Sequence, residues 1–243
     1  MRSETELLRE ALIGSVSHEL RTPLASILGA ATVLCNAPAI AHDERLASLA
    51  GVVRDEADRL NNDIQNLLDA TTISRAQVRP KLQWVEPVDI VNSALQRRQR
   101  RLAGRKVIID LDSNLPIVHV DPGQIEQALV QILDNAAKYS DADSQIDVTA
   151  RPNDHAVVLS VHDRGAGLTE GEKRRVGERF YRGPRHAGLT PGSGLGLWVA
   201  DAFITANGGR VEVESPGADH GTTVSIHLPL SPHAVEIEAS PDD

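Results

Sequence analysis

Residues 17–24 read SHELRTPL and lie inside a run whose apolar positions recur at three- or four-residue spacing from about residue 5 to residue 35. This spacing predicts an amphipathic helix around the stretch. Pro23 has no N–H to donate to the carbonyl of Glu19, so the helix should bend or loosen there. The stretch therefore predicts a long helix with a pliable point beside His18.

A second helix is predicted from about residue 43 to residue 74, where the apolar positions recur at three, four or seven residues. Asn36-Ala37-Pro38 marks the turn between the two helices. Two long helices joined by a short turn form an antiparallel hairpin, which buries its apolar stripe poorly alone. We therefore expect a second copy to complete a four-helix bundle, as a homodimer.

After about residue 80 short β-type runs alternate with helices, which indicates a second domain of layered α and β elements. Strands are predicted at residues 107–109, 146–149, 157–161, 211–213 and 223–226. Helices are predicted at about 87–103, 122–139 and 194–207. The overall expectation is an α+β chain in which a helical hairpin precedes an α/β sandwich.

Composition excludes several classes of protein. A net charge of -9 argues against nucleic-acid binding, which needs a basic face. The single cysteine, Cys35, cannot form an internal disulfide or a thiolate cluster. No run is long and apolar enough to span a bilayer, so a cytoplasmic chain is expected. Residues 231–243 are rich in Ser, Pro and acids and are predicted to form a disordered tail.

His18 has neighbours that suit phosphoryl chemistry. Thr22 lies four residues on and shares its helix face, while Glu19 flanks it. A neutral imidazole nitrogen can attack phosphorus if a carboxylate holds or removes the proton of the other nitrogen. Without these neighbours, a histidine in such a helix would be expected to face solvent and do no chemistry.

Three separated segments offer parts of a nucleotide site, although the chain has no P-loop motif. In the helix after Asp121, spacing places Asn135, Lys138 and Tyr139 on one side. The amide oxygen could ligate Mg²⁺ and the lysine could meet phosphate oxygens. Taken alone, these side chains are more often the solvated face of a helix.

The second segment is a turn of sequence DRGAG, in which Asp163 could accept a hydrogen bond from an adenine amino group. Gly165 and Gly167 would let the backbone approach the base. The third is the turn at residues 192–196, GSGLG, where helix-start N–H groups favour phosphate. Each motif is weak by itself, because turns of this composition are common.

Between those turns lie mostly polar residues that suit a mobile lid. Phe180 would be its apolar anchor, and Arg182 or Arg185 would lie near the phosphates. The order of the parts carries more information than any one part. It runs from the histidine through the Asn helix, the Asp turn and the lid to the Gly-rich turn.

SHELRTPL resembles the phosphoacceptor box of sensor histidine kinases, and the later segments resemble the N, G1, F and G2 boxes of their ATP-binding domain. The resemblance covers about residues 5 to 230. It implies a dimeric hairpin followed by an ATPase sandwich shared with gyrase and Hsp90. It also implies that His18 accepts the γ-phosphoryl group, that Glu19 is the general base, and that Glu19 with Thr22 supports dephosphorylation of a partner.

For the second domain the resemblance implies ATP and Mg²⁺ as cofactors. Asn135 would bind the metal and Asp163 the adenine. The implied nucleotide contacts as a whole are Asn135, Lys138, Tyr139, Asp163, Gly165, Gly167, Phe180, Arg182, Gly192, Gly194, Leu195 and Gly196.

The resemblance further implies three regions: a dimerisation and histidine phosphotransfer domain at 1–76, a catalytic domain at 77–230 and the tail at 231–243. The partner would be a response regulator receiver domain. Gln131 departs from the pattern, since many relatives carry asparagine there; glutamine keeps the amide chemistry with a longer reach, so it could alter metal affinity without a loss of ATP binding. Residues 81–86, KLQWVE, with Ser93-Ala94-Leu95, resemble potassium-responsive kinases of the Kdp type. That resemblance would imply that a membrane and sensory portion is absent from this chain.

Two alternatives compete with an autokinase. An ATP-hydrolysing clamp related to gyrase or Hsp90 would need long transducing domains after the nucleotide domain, where this chain has a short tail. A dimeric scaffold that senses ATP would have lost its acceptor chemistry, yet SHELRTPL is intact. The sequence therefore favours the kinase.

Overall fold

The computed structural model describes residues 23–74, 78–185 and 192–230. The chain divides into two compact units, Met1–Gln77 and Val78–Asp243. The predicted acceptor residues His18, Glu19 and Thr22 lie outside the described residues, as does the predicted tail at 231–243.

The first unit is helical. Helix α1 is described over residues 23–35, followed by α2 (Pro38–Ala41) and α3 (Glu44–Ser74). Proline at the first position of α2 turns the predicted Asn36-Ala37-Pro38 corner into a short helical turn. Leu24 of α1 packs with Ala57 and Ile64 of α3, so the two long helices form the predicted hairpin.

Much of the apolar stripe of this hairpin is uncovered within the single chain. Eight large apolar side chains are at least 47% exposed: Ile27, Val33, Leu34, Leu46, Leu49, Val52, Val53 and Leu60. Such an apolar surface marks a site of association. Among the described residues, no helix has both the length and the apolar content that crossing a membrane requires.

The second unit is a layered α/β structure. In chain order its elements are β1 (Gln83–Val85), α4 (Pro87–Arg98), β2 (Lys106–Leu111), β3 (Val118–Val120), α5 (Pro122–Tyr139), β4 (Gln145–Pro152), β5 (Ala156–Asp163), α6 (Glu170–Lys173), α7 (Gly196–Ala206), β6 (Arg210–Glu214) and β7 (Thr222–Pro229). The main sheet has the order β2-β4-β5-β7-β6. Only β2 and β4 pair in parallel.

One face of the main sheet carries the core. Burial alternates along β4, β5 and β7, as it does in a strand with one dry face. The buried side chains pack against the apolar faces of α4, α5 and α7. The fold is therefore a two-layer sandwich, as predicted, and its five predicted strands are all present.

Two features were not predicted. β1 and β3 pair antiparallel as a separate two-stranded sheet, in which Trp84 stacks on His119 at 4.7 Å between ring centroids. α4 ends at Arg98 and not near residue 103; the residues that follow form turns, and Gly104 has φ +81°.

Helix α5 is fixed at both ends. At its start the Asp121 side chain accepts a hydrogen bond from the Gln124 N–H at 3.1 Å, with Pro122 in the first turn. At its end the Arg105 guanidinium donates to the carbonyl oxygens of Ala137 (2.6 Å) and Ser140 (3.2 Å). A cation at the C-terminus complements the helix dipole. The end of α5 is thus held where the candidate site begins.

Candidate functional site

The Asp163 turn, residues 163–167, begins where β5 ends. Asp163 is 7% exposed, and its Oδ1 accepts a hydrogen bond from the Gly165 N–H at 2.9 Å. Burial raises the pKa of this carboxyl group, while the Gly165 N–H opposes the rise. A buried carboxylate with remaining acceptor capacity can receive a hydrogen bond from an amino group of a ligand.

Both glycines of this turn are required by close backbone approaches. A Cβ on Gly165 would lie 2.2 Å from the Tyr139 carbonyl oxygen, which accepts a hydrogen bond from the Ala166 N–H at 2.9 Å. Gly167 has φ +55°, and its Cβ would lie 2.0 Å from the Gly217 carbonyl oxygen. The Asp163 turn is therefore packed tightly against the C-terminal end of α5.

The Gly-rich turn, residues 192–196, meets the same end of α5. A Cβ on Gly192 would lie 2.3 Å from the Lys138 Nζ, the flexible end of that side chain, and the φ of +153° at Gly192 favours glycine. Gly196 is the first residue of α7, whose N-terminus adds a partial positive charge. The side chain of Leu195 is fully buried, so only its backbone is available to a ligand.

Asn135 and Gln131 lie further back along α5. Asn135 is half-buried, one turn before Lys138 and Tyr139. Gln131 is 7% exposed, and its Oε1 lies 2.8 Å from where a Cβ on Gly196 would be. Gln131 therefore packs against the start of α7, which links the Asn helix to the Gly-rich turn.

The lid segment, residues 169–185, is anchored on the Gly-rich turn. The Phe180 N–H donates to the Gly194 carbonyl oxygen at 2.9 Å, and a Cβ on Gly194 would clash with the Phe180 backbone. Phe180 has φ +64° and is 54% exposed. The Arg179 guanidinium lies 4.9 Å from its ring centroid. Arg182 is half-buried in the same stretch.

The lid segment contains a buried ion pair that sequence reasoning missed. Glu172 is 5% exposed and bonds to Arg185 at 2.9 Å. This bond lowers the pKa of Glu172 to about 2. The signal available in the sequence was Thr169 followed three residues later by Glu172, a capping box that the structure contains at the start of α6.

The chemistry of the site fits a magnesium nucleotide. The described residues contain no group of three His, Cys, Asp or Glu side chains that could hold a metal alone. Mg²⁺ bound to nucleotide phosphates needs only one or two protein oxygens, and Asn135, one turn before Lys138 on α5, carries an amide oxygen. The glycines at residues 192–196 bring the backbone of this turn close to the Lys138 ammonium, the Phe180 backbone and the Gln131 amide.

Comparison with known families identifies two domains. Residues 8–75 match the family model of the His Kinase A (phospho-acceptor) domain. Residues 120–232 match the family model described as histidine kinase-, DNA gyrase B- and HSP90-like ATPase. The first match includes SHELRTPL, and the second includes the Asn helix, both turns and the lid segment.

Curated relatives agree with this pair of domains. The sensor protein KdpD of Escherichia coli (strain K12) is 32% identical over 211 residues, which are 87% of this chain and 23% of KdpD. The histidine-protein kinase/phosphatase MprB of Mycobacterium leprae (strain TN) is 33% identical over 244 residues, 96% of this chain and 46% of MprB. The chain thus spans less than half the length of these relatives.

Solved structures share the fold. Full-length ShkA in complex with AMPPNP matches with a TM-score of 0.68 and 25% identity, over 91% of this chain and 46% of ShkA. The mycobacterial sensor histidine kinase MprB matches with a TM-score of 0.54 and 29% identity, over 61% of this chain and 97% of that structure.

Proposed function

Because this chain belongs to the sensor histidine kinases, of which it carries the catalytic portion, we propose that it transfers the γ-phosphoryl group of ATP to His18. The phosphoryl group then passes to an aspartate of a response regulator receiver domain. The same chain would dephosphorylate that partner.

The observation that carries the proposal is the convergence of three separate segments at the C-terminal end of α5. The Asp163 turn contacts the Tyr139 carbonyl, and the Gly-rich turn contacts the Lys138 ammonium. A carboxylate for an amino group and a cationic glycine cradle for phosphates thus lie around one helix end. This arrangement suits the two ends of a nucleoside triphosphate.

Each site residue has a distinct part in the proposal. The Asp163 carboxylate receives the adenine amino group, with the backbone at Gly165 and Gly167 close to the base. Lys138 and the backbone N–H groups of residues 192–196 hold the phosphates. Tyr139 and Phe180 border the nucleotide, and Arg182 reaches toward it from the lid segment.

Asn135 would hold Mg²⁺, which neutralises charge on the phosphates when it is bound. Gln131 would not ligate Mg²⁺ in the structure described, since its amide oxygen lies at the start of α7. The metal would therefore depend on one protein amide. Weakened metal affinity is the expected consequence.

The transfer step balances without another reactant. An imidazole nitrogen of His18 forms a bond to the γ-phosphorus while the bond to the β,γ-bridging oxygen breaks, and ADP leaves. Glu19 takes the imidazole proton as general base. The phosphoryl group then moves to a carboxylate oxygen of the receiver aspartate while its bond to the His18 nitrogen breaks, and protonated Glu19 returns the proton, which restores the neutral imidazole. Thr22 with Glu19 would orient water for the reverse hydrolysis.

The division of labour proposed for the chain has three regions: residues 1–76 for dimerisation and phosphotransfer, 77–230 for ATP binding, and 231–243 as a tail. The uncovered apolar stripe of the hairpin supports a homodimer with a four-helix bundle. The similarity to KdpD supports a Kdp-type kinase.

The proposal is tested by incubating the chain with Mg²⁺ and γ-labelled ATP. Acid-labile, base-stable label is expected on the unaltered chain and none on His18→Gln. An ATP-sensing scaffold would bind ATP and stay unlabelled. A clamp-type ATPase would release labelled phosphate without ever carrying it.

A further inference from the structure

We propose that Glu172 and Arg185 form a latch that holds the lid segment against the Asp163 turn, which makes Arg185 a positioning residue for the nucleotide. The inference rests on the proposed ATP-binding function. It differs from the sequence expectation, in which Arg182 and Arg185 were alternatives for a contact with the phosphates. The structure gives Arg185 partners within the protein, as the hydrogen bonds below show.

The Glu172 carboxylate is the fixed end of the latch. Its Oε2 accepts hydrogen bonds from the Thr169 N–H and the Thr169 hydroxyl, both at 2.9 Å. The same oxygen accepts from an Arg185 N–H at 2.9 Å, and Oε1 accepts from the Arg185 Nε–H at 3.3 Å. A buried carboxylate with both oxygens occupied in this way holds a defined position.

The Arg185 guanidinium also reaches the Asp163 turn. It donates to the carbonyl oxygens of Gly167 at 3.0 Å and of Ala166 at 3.3 Å. Arg185 therefore makes four hydrogen bonds, two to the start of the lid segment and two to the turn proposed to bind adenine. With its planar fork engaged in this way, little donor capacity remains for a phosphate.

The chain between the two partners is closed into a loop. Glu172 and Arg185 are thirteen residues apart, and the loop between them carries Phe180 and Arg182. Gly183 lies against the latch, since a Cβ there would be 2.6 Å from the Glu172 Oε1. Closing a loop before the ligand arrives removes part of the entropy cost of binding.

The latch has a consequence for nucleotide selectivity. A residue that touches the γ-phosphate affects ATP affinity more than ADP affinity. Through its bonds to the Gly167 and Ala166 carbonyl oxygens, the latch holds the turn proposed to meet the base, which ATP, ADP and AMP share. Loss of the latch should therefore weaken the binding of ATP, ADP and AMP by similar factors.

The first test measures hydrogen exchange of the nucleotide-free chain, by mass spectrometry of peptides from residues 173–184. Arg185→Gln should raise exchange there by about tenfold. Arg185→Lys keeps the charge but loses the planar guanidinium, so its exchange should lie between that of Arg185→Gln and that of the unaltered chain. Lys173→Gln is the matched control, because it breaks an exposed ion pair with Glu170 in the same segment. Equal exchange in Arg185→Gln and Lys173→Gln would overturn the latch.

The second test measures dissociation constants for ATP, ADP and AMP by calorimetry. In Arg185→Gln and in Glu172→Gln we expect all three to rise by roughly three- to tenfold, with the double variant no worse than either single one. A rise confined to ATP would make Arg185 a phosphate contact and overturn the latch. If the unaltered chain bound no nucleotide, the proposed function would fail, while the exchange experiment would still decide the latch.

Discussion

The two units of this chain solve the problem of burying apolar surface in opposite ways. In Val78–Asp243 the inner face of the sheet and three helices enclose a continuous aliphatic core, with residues such as Leu133 and Ile226 fully buried. In the hairpin Leu49 is 62% exposed and Val33 70% exposed. One unit completes its own core, and the other presents a surface that a second copy would cover.

The same contrast separates their chemistry. The second unit, Val78–Asp243, which we call the ATP unit, assembles its candidate site from three segments far apart in sequence. The site therefore depends on the whole sandwich being folded. The hairpin carries its proposed chemistry within a single stretch, residues 17–24. The comparison predicts that nucleotide binding and dimerisation can be removed separately.

The largest expected effect separates nucleotide binding from dimerisation. Asn135→Ala and Asp163→Asn should each weaken ATP binding by about 1,000-fold or more, roughly 4 kcal/mol, because each removes a proposed contact at one end of the nucleotide. Calorimetry checks affinity, and sedimentation checks that the chain stays dimeric.

The controls for this pair are Asn114→Ala and Asp154→Asn, which make the same chemical changes at exposed positions. They should bind ATP as the unaltered chain does. ATP affinity within threefold of normal in either site variant would remove that residue from the site.

The converse experiment breaks the hairpin surface. Leu49→Glu should raise the dimer dissociation constant by about 100-fold, because it places a charge in an apolar seam. ATP affinity should be unchanged. Ser48→Glu, at an exposed neighbouring position of α3, is the matched control. An unchanged dimer in Leu49→Glu would show that this stripe is covered by something other than a second copy.

A smaller effect concerns the pH dependence of stability in the ATP unit. Glu172 has a pKa of about 2 in the folded chain, against an ordinary glutamate pKa of 4.5. The contribution of Glu172 to the free energy of unfolding is therefore fully present above about pH 4.5 and is lost as pH falls toward 2. Since Arg185 is partly exposed, we expect roughly 2 kcal/mol.

Urea unfolding between pH 2.5 and 6 measures this contribution. Glu172→Gln should flatten the pH dependence of the free energy of unfolding, while Glu170→Gln, at an exposed neighbour, should leave the slope intact. Parallel slopes in all three proteins would contradict the ion pair.

The smallest effect falls within the hairpin itself. Thr22→Ala should leave autophosphorylation within about twofold and lower the rate of partner dephosphorylation several-fold, because the hydroxyl is proposed to act only in the hydrolysis. Phosphate release from a phosphorylated receiver domain measures this rate. Thr32→Ala, ten residues further along the chain, serves as a control. Equal dephosphorylation rates would remove Thr22 from that step.

Much of the fold could be predicted from local patterns. The spacing of apolar residues indicated both hairpin helices and α5, and β-branched runs indicated all five strands of the main sheet. β1 and β3 were missed because three-residue strands have no period of their own. Their pairing depends on a contact between Trp84 and His119 across the chain.

The site could be predicted only in part, for a similar reason. Glycines at residues 165 and 192 were recognisable as places of close approach, but their neighbours, the Tyr139 carbonyl and the Lys138 ammonium, are known only from the folded chain. Arg185 looked equivalent to Arg182. The ion pair that distinguishes them forms between residues thirteen apart.

The central claim is that the ATP unit supplies a phosphoryl group and His18 receives it, and the most direct test locates the label. The chain is incubated with Mg²⁺ and either γ-labelled or α-labelled ATP, digested with trypsin at neutral pH and analysed by mass spectrometry. We expect γ-label alone, on peptide Glu10–Arg21, whose only histidine is His18, stable to base and lost in acid. Label on any other peptide, or acid-stable label on a serine of this one, would contradict it.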